Sequence, residues 1–401
     1  MTTPDGRPTL TPPAFDSALA QPVHAVPAPI AAPATSQPPV GAPVRRAWGL
    51  YIWVGALLVV LLVVLVGYFL EAIGPVASLL GAILALLPLA GVLWVLRIVD
   101  RWEPEPRGLV ILALGWGAIA AVALALGVDL VLLLAFGRDD SPFALLLQSV
   151  VQAPIVEEIG KGLGVLLIFA AARRFFDGPV DGIVYGGLIG AGFAFTENIQ
   201  YFASAFIEGG FTQASATFFV RGILSPFAHV MFTAVTGFAL GLAARRGVRL
   251  GGALGPWLLG LVGAIALHAL WNGSALLGDF FALYAVLQVP LFVIFVVAIV
   301  LLRREEARLT RARLGEYAAV GWFTPQEVDM LATAAGRRTA LAWARTLTGD
   351  RVPIMRTFIA DATALAAARQ RAISGRDPRA SAEEAALLQR TVAARAALFA
   401  L

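Results

Sequence analysis

Two adjacent glutamates and a lysine stand in the stretch VEEIGKG, Val156 to Gly162, inside a long apolar run. Charge is expensive there: a charged side chain at the centre of a membrane helix costs about 2.5–3.5 kcal/mol on insertion scales, and such groups face a bundle interior, pair, and mark function. Lys161 lies at i+4 from Glu157 and i+3 from Glu158, so all three share one side of a helix. It is the only lysine; every other basic residue is arginine. Three further apolar runs carry Glu197 with Asn198, His229, and His268 with Asn272. The depths agree: counted from the start of each run, Glu157, Glu197, His229 and His268 lie about 12–16 residues in, near the bilayer midplane at about 1.5 Å per residue.

Glutamates and histidines without any cysteine suit two hydrolytic designs. In one, a glutamate is general base on a water while histidine and asparagine stabilise the oxyanion. In the other, His229, His268 and a glutamate, Glu158, hold a zinc ion whose bound water attacks a carbonyl. Blander roles stand beside these. Glu158 with Lys161 also reads as a neutralising intrahelical pair, and Asn198 and Asn272 as hydrogen-bonding glue between helices. Asn272, at i+4 from His268, also reads as the residue that orients the imidazole. Arg221, near the outer end of its run, reads first as a snorkelling side chain and second as a binder of substrate or of a carboxylate. Gly186, Gly187, Gly190 and Gly192 read as packing residues that let helices approach closely.

These residues need a scaffold, and composition supplies its class. The chain of 401 residues is 59% hydrophobic and 14% charged, with mean hydropathy +0.81. Ordinary soluble domains run near a quarter charged. Runs at 47–70, 74–98, 108–136, 142–172, 181–207, 217–244, 253–278 and 280–302 each reach the roughly 20 residues a span needs. The expected fold is all-α: a polytopic bundle of about eight transmembrane helices over 47–302, with a small helical cytosolic domain over 303–401. Residues 1–46, rich in Pro, Ala, Thr and Ser, lack periodicity and are expected to be disordered. TPQE (Thr324–Glu327) and SAEE (Ser381–Glu384) read as capping boxes in the last domain. Arginines concentrate on alternate connections (Arg45, Arg97, Arg173, Arg245, Arg303 and their neighbours), which places both termini in the cytoplasm by the positive-inside rule. The net charge of +4 comes without a basic patch interleaved with aromatics, so no nucleic-acid partner is expected. No signal peptide is recognised at the start.

VEEIGKG, GFAFTENIQYF (192–202), SPFAHVMFTAVTGFALG (225–241) and LHALWNGS (267–274) together resemble the four motif blocks of the PrsW family of intramembrane proteases. DRWEPEP (100–106) is similar to that family's N-terminal signature, and the likeness spans about 95–300. The resemblance implies a catalytic centre of Glu157, Glu158, Glu197 with Asn198, His229, and His268 with Asn272, with Lys161 in support. It implies cleavage of a membrane-spanning protein such as an anti-sigma factor, in a bacterial inner membrane. It leaves a glutamate-activated water and a zinc-bound one both open. Two other classes fit the polar cluster: a proton-coupled transporter with a Glu/His relay, and a non-catalytic membrane sensor. The chain has no evident internal repeat, which speaks against the transporter.

Overall fold

A computed structural model describes Leu10 and residues 45–399 apart from 174, 277 and 376–378. The disorder expected of residues 1–46 falls almost entirely outside the described residues. The chain divides into two units, residues 44–299 and a second comprising 1–43 and 300–401. Every regular element among the described residues is helical.

The first unit holds α1 (Arg45–Tyr68), α2 (Pro75–Val99), α3 (Arg107–Gly115), α4 (Val122–Phe136), α5 (Pro142–Leu147), α6 (Ala153–Ala171), α7 (Pro179–Phe218), α8 (Ala228–Arg245), α9 (Leu254–Leu276), α10 (Phe280–Leu283) and the start of α11 (Val289–Ala319). Short π-helical turns interrupt these rods at Phe69–Ile73, Trp116–Ala121, Gln148–Gln152, Phe219–Leu224 and Tyr284–Gln288. Turns of this kind inside helices are frequent at functional sites. Among the described residues, six helical stretches are long and apolar enough to cross a membrane, against the eight expected. Two physical features account for the difference. The helical run over 142–171, which carries Glu157, Glu158 and Lys161, is not among the six. The runs at 181–207 and 217–244 merge into one stretch, Pro179–Arg245.

That stretch is broken twice, once in the connection expected between 207 and 217 and once inside the run expected over 217–244. Gly209 and Gly210 leave the helical region, and Gly210 takes φ +61° with ψ −151°, a conformation glycine adopts without strain. A second break at Ser225–Phe227 separates the turn Phe219–Leu224 from α8, immediately before His229. Irregular backbone at membrane depth persists only where it is buried in protein or lines a cavity. Here Ser225 and Pro226 line one.

α7 and α8 pack antiparallel, backbone against backbone. A Cβ on Gly182 would overlap the Gly237 carbonyl, and one on Gly237 the Gly182 carbonyl. One on Gly190 would overlap the carbonyl of His229 itself. The packing role expected of Gly190 therefore extends to the site, because this close approach sets where His229 stands. Gly237→Leu is expected to lower the thermal midpoint of the detergent-solubilised protein by an overpacking cost of about 1–3 kcal/mol or more. A wild-type midpoint would show that the helices separate freely at this point.

Glu105, ahead of α3, receives a hydrogen bond from the fully buried Tyr185 hydroxyl, and its backbone N–H donates to the Asp100 carboxylate at 3.1 Å. Burial pushes the Glu105 carboxyl up to about 9, the Tyr185 hydrogen bond opposing it. The folded state thus holds a proton that the unfolded chain releases near the ordinary carboxylate range. Stability from this group is complete below that range and is lost as pH rises toward about 9. Glu105→Gln, which keeps the shape and drops the titration, is expected to flatten the fall in thermal midpoint between pH 5 and 9; an unchanged slope would clear Glu105 of that role.

In the second unit, the end of α11, α12 (Pro325–Leu331), α13 (Ala334–Ala344), α14 (Val352–Ile373) and α15 (Ala380–Phe399) enclose a core of Leu314, Tyr317, Phe358, Leu365 and Leu387. The change of composition at 302–303 falls inside α11, which runs on to Ala319 without a break. The capping box at Thr324 forms: Thr324 Oγ accepts from the Glu327 N–H at 3.2 Å, and the Glu327 carboxylate accepts from the Thr324 N–H at 2.8 Å. The box expected at Ser381 does not, since α15 already begins at Ala380. Glu384 instead lies buried, accepting from Tyr317 at 2.6 Å and from Arg369 at 3.2 Å.

A buried glutamate–histidine centre in the membrane unit

α6 brings three of the expected groups to one point. The Lys161 ammonium, fully buried, lies 2.6 Å from Glu158 Oε1 and 3.4 Å from Glu157 Oε2. It also stands 3.1 Å from His229 Nδ1 and 4.1 Å above the ring of Phe193. The lysine therefore joins α6 to α8 and α7 rather than serving only as an intrahelical counter-ion. Two indoles fix the helix that carries it: Trp116 Nε1 donates to the Gly160 carbonyl at 3.0 Å, and Trp257 Nε1 to the Gly162 carbonyl at 2.8 Å. Both carbonyls would otherwise serve only the helix ladder.

The two glutamates part company. Glu158 is wholly buried, with Oε1 on Lys161 and on His268 Nδ1 at 3.0 Å and Oε2 accepting from Thr233 at 3.2 Å. Its carboxylate is used up in holding its neighbours. Glu157 instead lines a cavity of about 1060 Å³, with His229, His268, Glu197, Asn272 and Arg221. Its Oε2 lies 3.9 Å from His268 Nε2. Carboxylate bonding to Nδ1 fixes a histidine tautomer and leaves Nε2 as the working nitrogen, the arrangement that Glu158 gives His268.

Across the cavity, His229 Nε2 is 2.9 Å from Glu197 Oε2. The same carboxylate is paired with the Arg221 guanidinium, whose Nε donates to Asn198 Oδ1 at 2.8 Å and which lies 3.8 Å over the ring of Tyr201. Arg221 is thus not a snorkelling residue. From the π-helical turn Phe219–Leu224 it reaches inward and neutralises Glu197. Asn272 donates to the Ser149 carbonyl at 2.9 Å, tying α9 to the turn that leads into α6. The orienting role expected of it falls to Glu158. The sequence offered a signal for Thr233, which follows His229 by four residues and shares its helix face. Arg221 carried one too, as an arginine inside an apolar run.

The chemistry of the donors fits a divalent metal in number and kind. Glu157, His229 and His268 each offer a ligand atom, all within 4.8 Å of one another, and two imidazoles with one carboxylate form a catalytic zinc set. The geometry selects Glu157 for this group in place of Glu158, which is already engaged on both oxygens. Both nitrogens of His229 have partners, Lys161 and Glu197, so ligation by His229 would exchange one of them.

A polytopic helical membrane unit with a buried glutamate–histidine centre at the meeting of four helices is the class that fold and site define. Residues 105–300, just under half of the chain, match the model of the PrsW family intramembrane metalloproteases. It is 31% identical over 144 residues to Protease PrsW of Geobacillus kaustophilus, covering 36% of this chain and 58% of that protein. It is 32% identical over 157 residues to Protease PrsW of Clostridioides difficile, covering 39% and 63%. To Protease PrsW of Bacillus subtilis it is 35% identical over 79 residues, covering 20% and 33%. The chain thus spans about three-fifths or less of the length of these relatives. No solved structure matches it.

Proposed function

We propose that this protein is an intramembrane endopeptidase that hydrolyses a peptide bond in or near the membrane span of a substrate protein. One observation carries the reading: Glu157 opens onto the same cavity as His229 and His268 while Glu158, Lys161 and Thr233 are sealed behind it. Glu157 is placed to take the proton of an attacking water, a general-base role worth 10²–10⁴-fold. The Nε2 side of His268, its ring held by Glu158, faces the same space and is suited to the tetrahedral oxyanion or the leaving amine. Arg221 and Glu197 hold His229 in register. Glu157, His229 and His268 are also the residues that would hold zinc. When bound, it would polarise the scissile carbonyl and acidify its water.

The arginines on alternate connections place both termini in the cytoplasm. Arg173, which donates to the Val248 carbonyl at 2.6 Å, holds two of those connections together. The likeness to the PrsW motif blocks supports a membrane-spanning anti-sigma factor as the type of substrate. Purified protein tests all this with a single-span substrate in liposomes, wild type beside His229→Ala, with zinc measured in both. Near-stoichiometric zinc that disappears with His229, together with cleavage, establishes the metal-assisted form; cleavage at undiminished rate without metal leaves Glu157 to work unaided. Proton flux without cleavage would replace the peptidase by a transporter.

A further inference from the structure

A membrane-spanning substrate must pass laterally from lipid to Glu157, and one seam of the bundle is built differently from the rest. Between the turn Phe219–Leu224 with the start of α8 on one side, and Tyr284–Gln288 with α11 on the other, lies a second pocket of about 170 Å³. It is lined mainly by apolar and aromatic side chains, among them Phe227, Met231, Tyr284 and Phe292. Ser225, Pro226, Ala228 and Trp271 line both this pocket and the large cavity, so the two adjoin. Trp271 packs on Phe232, ring centroids 5.8 Å apart, and Phe232 stacks on His268 at 4.8 Å. The pocket therefore leads to the reacting groups through one wall.

The outer side of the seam is loosely held. The apolar part of Phe280–Ala319, like that of Ile52–Ile73, is only 6% buried, against 72% for Pro179–Arg245. Among the described residues, Tyr284 closes the seam with a hydrogen bond to the Leu224 carbonyl at 2.8 Å, and Phe227 meets Phe292 with ring centroids 5.5 Å apart. Both flanks are π-helical turns, whose backbone can return to the regular α pattern by a one-residue shift. Gln288 adds an opening for a donor. Ser274 Oγ donates to the Trp271 carbonyl and accepts from Gln288 Nε2 at 2.5 Å, which fixes the amide orientation; Gln288 Oε1 is then left buried with no partner among the described residues. An acceptor kept in an apolar wall is costly unless something supplies its hydrogen bond.

We propose that this seam is the lateral doorway for a transmembrane helix of the substrate: Tyr284 and Phe292 part from Leu224 and Phe227, the helix enters between them, and Gln288 Oε1 accepts from a donor that the entering segment exposes as it unwinds. The assignment rests on the peptidase reading. The chain has no cysteine, so a Phe227→Cys/Phe292→Cys pair in the full-length protein can be joined by a short reducible bis-thiosulfonate without side reactions. Two substrates separate the routes: a single-span peptide in liposomes, and the short soluble peptide taken from around its cleaved bond, which reaches the cavity by the polar mouth at Asp129, Gln200 and Glu208. Closing the seam is expected to cut turnover of the span at least tenfold, reversibly with reductant, and to leave the soluble peptide unaffected. Tyr284→Phe is expected to raise turnover of the span about two- to fivefold, the effect of removing one neutral hydrogen bond. Undiminished span turnover with the seam closed would overturn the doorway. If the reduced protein cleaves neither peptide, the peptidase reading is what fails. Docking is then judged by a benzophenone-bearing span: photo-adducts on Met231 or Phe292 uphold the seam, and adducts confined elsewhere reject it.

Discussion

Glu157→Gln is expected to lower kcat for a single-span substrate by 10²–10⁴-fold while the protein stays inserted and folded. Glutamine keeps the volume and can still accept one hydrogen bond, but it cannot take a proton from water. The neighbourhood explains why the fold should tolerate it. Glu157 faces the cavity with its side chain 12% exposed, and its ion pair with Lys161 is the longer of two, at 3.4 Å against 2.6 Å for Glu158. Lys161 therefore keeps its principal partner. The measurement is single-turnover cleavage beside a thermal melt of the same preparation. Full activity in Glu157→Gln would remove this residue from the chemistry. A collapsed melt would instead assign it a structural role.

Lys161→Met is expected to act in the opposite way, mainly on stability. The ammonium is buried completely among Glu157, Glu158 and His229, with Phe193 over it. Methionine matches the stem and leaves the carboxylates without their cation in a place water does not reach. Breaking a buried pair by removing one partner costs about 3–5 kcal/mol, because the remaining charge is uncompensated. A double variant, Lys161→Met with Glu158→Gln, separates this from lost packing. Removing the orphaned charge should recover a good part of the loss, giving a coupling energy that independent sites do not show. If Lys161→Met melts with the wild type, the lysine is dispensable to the fold and its only duty is at His229.

The two variants divide the site along the line that the coordinates draw between Glu157 and Glu158. In the sequence these residues are equivalent: adjacent, both at the midplane, both within a helical turn of Lys161. Helical spacing could say that Lys161 meets both. It could not say which carboxylate turns toward Thr233 and His268, since that depends on how α8 and α9 rotate against α6. The expected zinc set named Glu158 for that reason, and the cavity selects Glu157.

Much else was legible because membranes make polarity costly. Long apolar runs with arginines at alternate ends gave a helical bundle, and four midplane ionisable groups on consecutive runs gave a common site. Glu157, Glu197, His229 and His268 do meet, since groups this expensive to bury must find one another. Gly186, Gly187, Gly190 and Gly192 were legible as packing residues, and the helices they serve touch backbone to backbone. The kink at Gly209–Gly210 falls in the connection expected between 207 and 217. What local pattern could not supply were the break at Ser225–Phe227 and the π-helical turns, which interrupt runs that read as regular helix. Arg221, in the turn Phe219–Leu224, points inward. An apolar run read residue by residue keeps its arginine at the interface, where water is nearest. The folded bundle offers Glu197, Asn198 and the face of Tyr201 instead, and that set of partners, 20 to 24 residues earlier in the chain, makes the inward position stable.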